Sequence, residues 1–322
     1  LHAKYGGVVP SLAAREHVKN LPKVIKLGLG KVGMKDVDLI SITRGPGLVS
    51  SLLVGVAFAK TLAWKYKKLI IGANHLEGHI ASNWLVPVGK TGSLEQPFPA
   101  LCLIVSGGHT ELALMSGYGK YELVGQTMDD AAGEAFDKIA RILGLGYPGG
   151  PAISAAAEKS RTAKTKHQIK LPRPMLNSKD LNFSFAGLKT AVLYLVRDLA
   201  KKHKKLDKQT VADIAAEAQR AIVDVLVAKT MKAADKYGTR SIMLSGGVSA
   251  NKLLRSELGK ASELKNIKFF RPEMEYTTDN AAMIAMAGYF QYKTSKENPP
   301  SLKLRRARTD WQSVEVDANL TL

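Results

Sequence analysis

The chain has 322 residues, 45% hydrophobic and 23% charged, the balance of a globular protein able to bury sizeable cores rather than of a disordered or fibrous one. Its 47 Lys and Arg against 28 Asp and Glu leave a net charge of +19 and a pI near 9.8. The basic excess is bunched at Lys159–Lys170, Lys201–Lys205 and Lys303–Arg308, the pattern of a surface that attracts a polyanion. No uninterrupted apolar run reaches the ~18 residues of a membrane span, and the single cysteine, Cys102, excludes a disulfide framework and suits a reducing cytoplasm.

In chain order, helical periodicity runs from Pro10 to Leu29, with an interruption expected at Pro22. A strand over Val37–Ile42 leads into Thr43-Arg44-Gly45-Pro46-Gly47 and a long apolar helix, Leu48–Tyr66. Strand, glycine turn and helix in that order can present backbone N–H groups to an anion, or simply make a tight connection. Leu69–Ala73 reads as a strand, and Asn74-His75-Leu76-Glu77-Gly78-His79 opens a helix reaching Leu85. Two histidines four apart share one helix face, so both imidazoles can reach one divalent ion, with one oxygen ligand still to be found. Surface polar residues at a helix start are the plainer reading of such a pair. The zinc-protease order H-E-x-x-H is not met, because the acid is Glu77, two residues after His75 and turned from the shared face.

A lobe boundary is expected in the proline- and glycine-containing stretch Pro87–Pro99. The strand Ala100–Val105 then feeds Ser106-Gly107-Gly108-His109-Thr110 and a second strand, Glu111–Met115, a hairpin whose glycine tip can approach a phosphate. Cys102 reads as a small buried hydrophobe. Asp129–Leu143 is a helix carrying Glu134 and Asp137 on one face, ending in a rigid loop, Gly144–Pro151. Asn182–Lys189 precedes helices over Lys189–Lys202 and Lys208–Tyr237. A strand at Ser241–Leu244 enters a second Ser-Gly-Gly turn, Ser245–Asn251, before a helix, Lys252–Leu258. Two such turns suggest two loops closing on one phosphorylated ligand. Before the last helix, Ala281–Tyr292, Thr278 or Asp279 is a credible N-cap, and Asp279 is alternatively the oxygen ligand beside His75 and His79.

These residues together resemble the TsaD family of tRNA N6-adenosine threonylcarbamoyltransferases, once labelled O-sialoglycoprotein endopeptidases. The matching motifs, in the family's order, are Tyr5–Pro10, Arg44–Leu48, His75–His79, Val105–Thr110, Gly133–Lys138, Tyr147–Pro151, Ser245–Asn251 and Thr278–Asn280, and they cover nearly the whole chain. The resemblance implies an α/β, two-lobed actin/hexokinase/Hsp70-like (ASKHA) fold, with mixed sheets flanked by helices and the ligand in the interlobe cleft. The expected division is lobe 1 over 1–97, lobe 2 over 98–275, and a C-terminal helix and tail over 276–322 returning to lobe 1.

It further implies transfer of threonylcarbamoyl from its adenylate to N6 of adenosine 37 in ANN-decoding tRNAs, with release of AMP. By position, His75, His79 and Asp279 would hold one divalent metal, iron(II) by family and zinc by ligand chemistry. Ile104, Val105, Ser106, Gly107 and Gly108 would meet the phosphate and carbamoyl part, and Asp137, Gly150 and Asn251 the nucleoside part. His109, Glu134, Gly246 and Gly247 are further candidates. The implied partners are tRNA, the adenylate synthase and accessory subunits, with no membrane. The family opens with a Glu-Thr-Ser-Cys-Asp-Asp-Thr strand and turn with no equivalent in this sequence, so its first strands are expected to be missing and the chain as written is expected to be a fragment, weakly active or inactive, of an active parent. Ser50-Ser51 is a small second departure. Three other readings stand: a small-molecule kinase of the same superfamily, which would not need the histidines; a metalloprotease, disfavoured by Glu77; and a non-catalytic tRNA-binding subunit.

Overall fold

A computed structural model describes residues 9–90, 97–162, 169–203, 206–297 and 311–322. The basic run Lys303–Arg308, parts of Lys159–Lys170 and Lys201–Lys205, and Tyr5–Val8 of the first motif lie outside the described residues. The fold is mixed α/β, with sheets flanked by helices. By contact the chain divides into two compact units, Leu1–Leu85 with Asn280–Leu322, and Val86–Asp279. The first carries α1 (Pro10–Leu29), β1 (Leu39–Gly45), α2 (Val49–Tyr66), β2 (Leu69–Asn74) and α3 (His75–Ala81). The second carries β3 (Ala100–Val105), β4 (Thr110–Gly117), β5 (Lys120–Gln126), α4 (Ala132–Ile142), α5 (Gly149–Thr162), α6 (Ala186–His203), α7 (Lys208–Tyr237), β6 (Ser241–Ser245), α8 (Lys252–Leu264) and β7 (Lys268–Phe270). The chain then re-enters the first unit as α9 (Ala281–Glu297). No helix among the described residues is long and apolar enough to cross a membrane.

In the first unit β1 and β2 run parallel, Leu39 opposite Leu69 and Ile42 opposite Gly72, joined by the crossover helix α2. That helix buries Val56, Ala59 and Ala63 against Ile70 and Val314. It stops at Lys67, whose left-handed φ of 52° ends the turn before β2. Met283, Ile284 and Ala287 of α9 pack on Ala73 and Ala81, and Ser41 Oγ donates to Ile284 O at 2.7 Å. Helix α1 continues through Pro22 where a break was expected. None of its described residues is buried, so water can satisfy the carbonyl that Pro22 cannot serve.

The second unit's sheet has the order β5-β4-β3-β6-β7. Its central strand β3 is buried along its whole length, antiparallel to β4 and parallel to β6, which explains the unbroken apolar run from Ala100 to Val105. Cys102 lies opposite Met243, and burial pushes its thiol up to about 12, so it is an inert core residue. Three elements depart from the sequence reading. Strand β5 is an edge strand with little alternation, and β7 has only three residues. Helix α5 starts at Gly149, inside the stretch read as loop, because Pro151 falls in its first turn, where a missing N–H is harmless.

Candidate active site

Strand β2 ends in Asn74, whose Oδ1 accepts from Leu76 N at 2.8 Å and so caps α3, while its Nδ2 donates to Thr321 O at 2.8 Å. The cap fixes where the helix begins and therefore where His75 and His79 point. Their rings meet edge-on, centroids 4.7 Å apart, with His79 buried and His75 half-buried. One ligand atom from each of His75, His79 and the exposed Asp279 lies within 4.8 Å of the others. Bonds of about 2.0–2.2 Å to a common ion let opposed ligands stand roughly 4 Å apart, so this set closes on one ion with little adjustment. Two imidazoles and one carboxylate with positions to spare are the donors of open iron(II) and catalytic zinc sites, whereas calcium or magnesium would ask for more oxygens. The residues fit such a metal.

The cap of α9 is neither Thr278 nor Asp279: Asn280 Oδ1 accepts from Met283 N at 2.9 Å. Glu77 is turned to α9, where its Oε2 accepts from Gln291 Nε2. Gly78 lies so near α9 that a Cβ there would stand 2.7 Å from Ile284 Cδ1. The four-residue spacing thus brings the two histidine rings together, and the residues between tie their helix to its neighbour.

In the second unit the parallel strands β3 and β6 both end at Ser-Gly-Gly turns, the carboxyl edge where open α/β sheets hold ligands. Ile104 and Val105 have fully buried side chains, so only their backbone can serve a ligand. Ser106 Oγ accepts from His109 N at 3.0 Å and Gly108 N at 3.3 Å, so the turn's own hydroxyl already engages Gly108 N, one of the donors expected to face an anion. Gly107 and Gly108 are exposed, and a Cβ on either would meet nothing within 4 Å.

Behind the turn the backbone is crowded. Gly133 N donates to Ser106 O at 3.2 Å, and a Cβ at Gly133 would collide with that same carbonyl. Gly246, at φ +86°, is pressed against Val105 O, so the second Ser-Gly-Gly turn lies against the end of β3 through backbone. Asp137 Oδ1 accepts from Gly149 N at 2.6 Å, setting the start of α5 and hence Gly150. Glu134 pairs with Lys138 at 3.0 Å, and Lys138 is held above its ordinary pKa first by Asp130 and then by Glu134. Asn251 Oδ1 caps α8 by accepting from Leu254 N at 3.0 Å, and its Nδ2 donates to Gln219 Oε1 at 2.9 Å and Ser154 Oγ at 3.2 Å. One chain of contacts therefore links Gly246, Val105, Ser106, Gly133, Asp137, Gly149 and, through Ser154, Asn251.

Sequence reasoning missed Gly133 and Gly149 as packing points, though both lie in motifs it noted. It also missed Ser154 and Gln219, which sit in helices of ordinary periodicity and carry no local signal. Asp129 lies at the edge of this region. Burial pushes its carboxyl up, but hydrogen bonds from Ser184 Oγ, Phe185 N and Ala186 N at the start of α6 outweigh that and hold it below the usual range.

Residues 1–286 match the TsaD family, described as tRNA N6-adenosine threonylcarbamoyltransferase. The chain is similar to the proteins of that name from Thermosipho africanus (48% identity over 314 residues, 94% of this chain and 90% of the relative) and Thermosipho melanesiensis (50% over 291 residues, 90% and 84%). The one from Syntrophomonas wolfei is 46% identical over 304 residues, 94% and 86% of the two chains. Among solved structures, HypF of T. kodakarensis aligns with a TM-score of 0.53 at 16% identity, over 84% of this chain and 42% of its own. Full-length HypF in a phosphate- and nucleotide-bound form aligns with 0.55 at 13% identity, over 83% and 40%. At such identities these two speak for the fold alone.

Proposed function

Because the chain belongs to the TsaD family of tRNA N6-adenosine threonylcarbamoyltransferases, we propose that it transfers threonylcarbamoyl from threonylcarbamoyl-adenylate to N6 of adenosine 37 in ANN-decoding tRNAs, releasing AMP. The observation that carries this reading is the pairing, in one chain, of a His75/His79/Asp279 donor set with two glycine turns at the carboxyl edge of a parallel strand pair. The units are taken as the lobes of an actin/hexokinase-like fold.

The N6 lone pair attacks the carbamoyl carbon of the mixed anhydride. A C–N bond forms, the bond from that carbon to the phosphate oxygen breaks, AMP departs with its electron pair, and N6 gives up a proton. The exposed Gly107-Gly108 backbone can approach the phosphate and carbamoyl oxygens closely, since neither glycine carries a side chain and the space on their Cβ side is open. Asp137, Gly150 and Asn251 receive the nucleoside half and keep the anhydride from drifting. His75, His79 and Asp279 would hold iron(II), or zinc in its place; when bound, such an ion supplies a Lewis acid for the carbonyl under attack. A net charge of +19 favours encounter with the tRNA backbone and makes it salt-sensitive. The adenylate synthase and accessory subunits are the expected protein partners.

Single-turnover transfer of labelled threonylcarbamoyl from its adenylate to an unmodified ANN-reading tRNA, with iron(II) or zinc added, tests the reading. Modified adenosine should accumulate with the chain and fall by about 100-fold or more in His79→Ala. ATP turnover on a small acceptor with no modified nucleoside would instead select the kinase, and tRNA binding without transfer the non-catalytic subunit.

A further inference from the structure

Gln219, half-buried on α7, belongs to no motif, yet it joins two pieces placed at the nucleoside half of the site. Its Oε1 accepts from Ser154 Oγ at 2.8 Å, one turn into α5 from Gly150, and from Asn251 Nδ2 at 2.9 Å, at the start of α8. The orientation of its amide follows from the network. Asn251 Oδ1 is committed to Leu254 N, so the group Asn251 turns to Gln219 must be its NH2, and the group Gln219 turns back must be its carbonyl oxygen. Gln219 Nε2 then faces away from both partners. Its two N–H donors have no acceptor among the described residues, and the atom is not sealed from solvent.

We propose that Gln219 is a nucleoside-binding residue, whose Nε2 donates to a hydroxyl or ring-nitrogen acceptor of the adenylate while its Oε1 holds Asn251 and Ser154 in place. The inference rests on the assignment of Gly150 and Asn251 to the nucleoside half of the ligand. A donor anchored at its other end loses little freedom on binding, and an acceptor brought there finds two N–H groups not engaged by the described residues. A ligand lacking that acceptor would leave a half-buried amide without a partner, which makes the contact a source of selectivity as well as affinity.

Gln219→Glu separates the two roles of the side chain. One carboxylate oxygen can still accept from Ser154 and Asn251, whereas the second replaces the NH2 with an acceptor. Adenosine and AMP would be titrated calorimetrically into the wild-type chain, Gln219→Glu and Gln219→Leu, with thermal unfolding followed in parallel. Adenosine carries no phosphate, so its response excludes simple repulsion of the new charge. The expected result is a rise of about tenfold or more in Kd for both ligands in Gln219→Glu at an unchanged unfolding temperature. Gln219→Leu should weaken binding as much and also lower the unfolding temperature. Wild-type affinity in Gln219→Glu, with loss only in Gln219→Leu, would reduce Gln219 to a packing residue and overturn the proposal. Failure of the wild-type chain to bind either ligand would overturn it together with the nucleoside assignment beneath it.

Discussion

The two units hold their candidate chemistry by different physical means. In the first, His75 and His79 stand on one helix, and close approaches there are mostly made to side chains: Gly78 against Ile284 and Met283, Gly72 against Arg44 and Val314, and Gly288 against Ser41. In the second, the same kind of approach is made to backbone: Gly133 to Ser106 O, Gly149 to Asp137 Cα and Phe136 O, and Gly246 to Val105 O. Gly45, pressed on the carbonyl of Asp317, is the first unit's exception. Side chains can swing aside for tenths of an ångström, whereas a carbonyl fixed in a strand end cannot. A metal grip built from side chains tolerates small displacements that its ligands absorb by rotation. A backbone cradle for an anhydride does not.

The sharpest way to break this contrast is Gly133→Ala. The added methyl would collide with Ser106 O and displace the Gly107-Gly108 turn. Transfer should fall about 100-fold and unfolding free energy by roughly 2–4 kcal/mol, read by single-turnover kinetics and denaturant titration. Next is Asp137→Ala, which removes the acceptor of Gly149 N and frees the start of α5. About a tenfold loss in transfer, carried by KM, is expected, with stability lower by about 1–2 kcal/mol. In the first unit Gly78→Ala meets only Ile284 and Met283 side-chain atoms, so it should cost about 1 kcal/mol or less and leave transfer within a few-fold. A Gly78→Ala defect as deep as that of Gly133→Ala would erase the distinction.

The smallest expected effect is one of pH. Asp129 has a folded-state pKa held below its ordinary value, so its contribution is present above about pH 4 and is lost as pH falls through the folded value. Asp129→Asn should flatten the loss of stability below about pH 4 and leave its slope at neutral pH unchanged, measured by urea unfolding across that range.

What was legible in the sequence follows the same line. The unbroken run Ala100–Val105 announces a strand buried on both faces, and the four-residue histidine spacing announces a shared helix face, because each is a local pattern with one physical cause. Helix α5 was hidden, since Gly149-Gly150-Pro151 reads as a turn until the chain is seen to place Pro151 in a first helical turn. The cap of α9 fell to Asn280 rather than Thr278 or Asp279, a one-residue choice that spacing cannot make. The Ser154–Gln219–Asn251 triangle joins residues 97 and 32 positions apart, and only the packing of three helix segments brings them together.

The most direct test of the central claim is a paired titration of His79→Ala and Gly133→Ala, each with cobalt(II) as a spectroscopic metal probe and, separately, with AMP. The account predicts that His79→Ala loses the metal signal and keeps AMP affinity, while Gly133→Ala keeps the metal and loses AMP. Loss of both ligands in either variant, or retention of metal by His79→Ala, would contradict it.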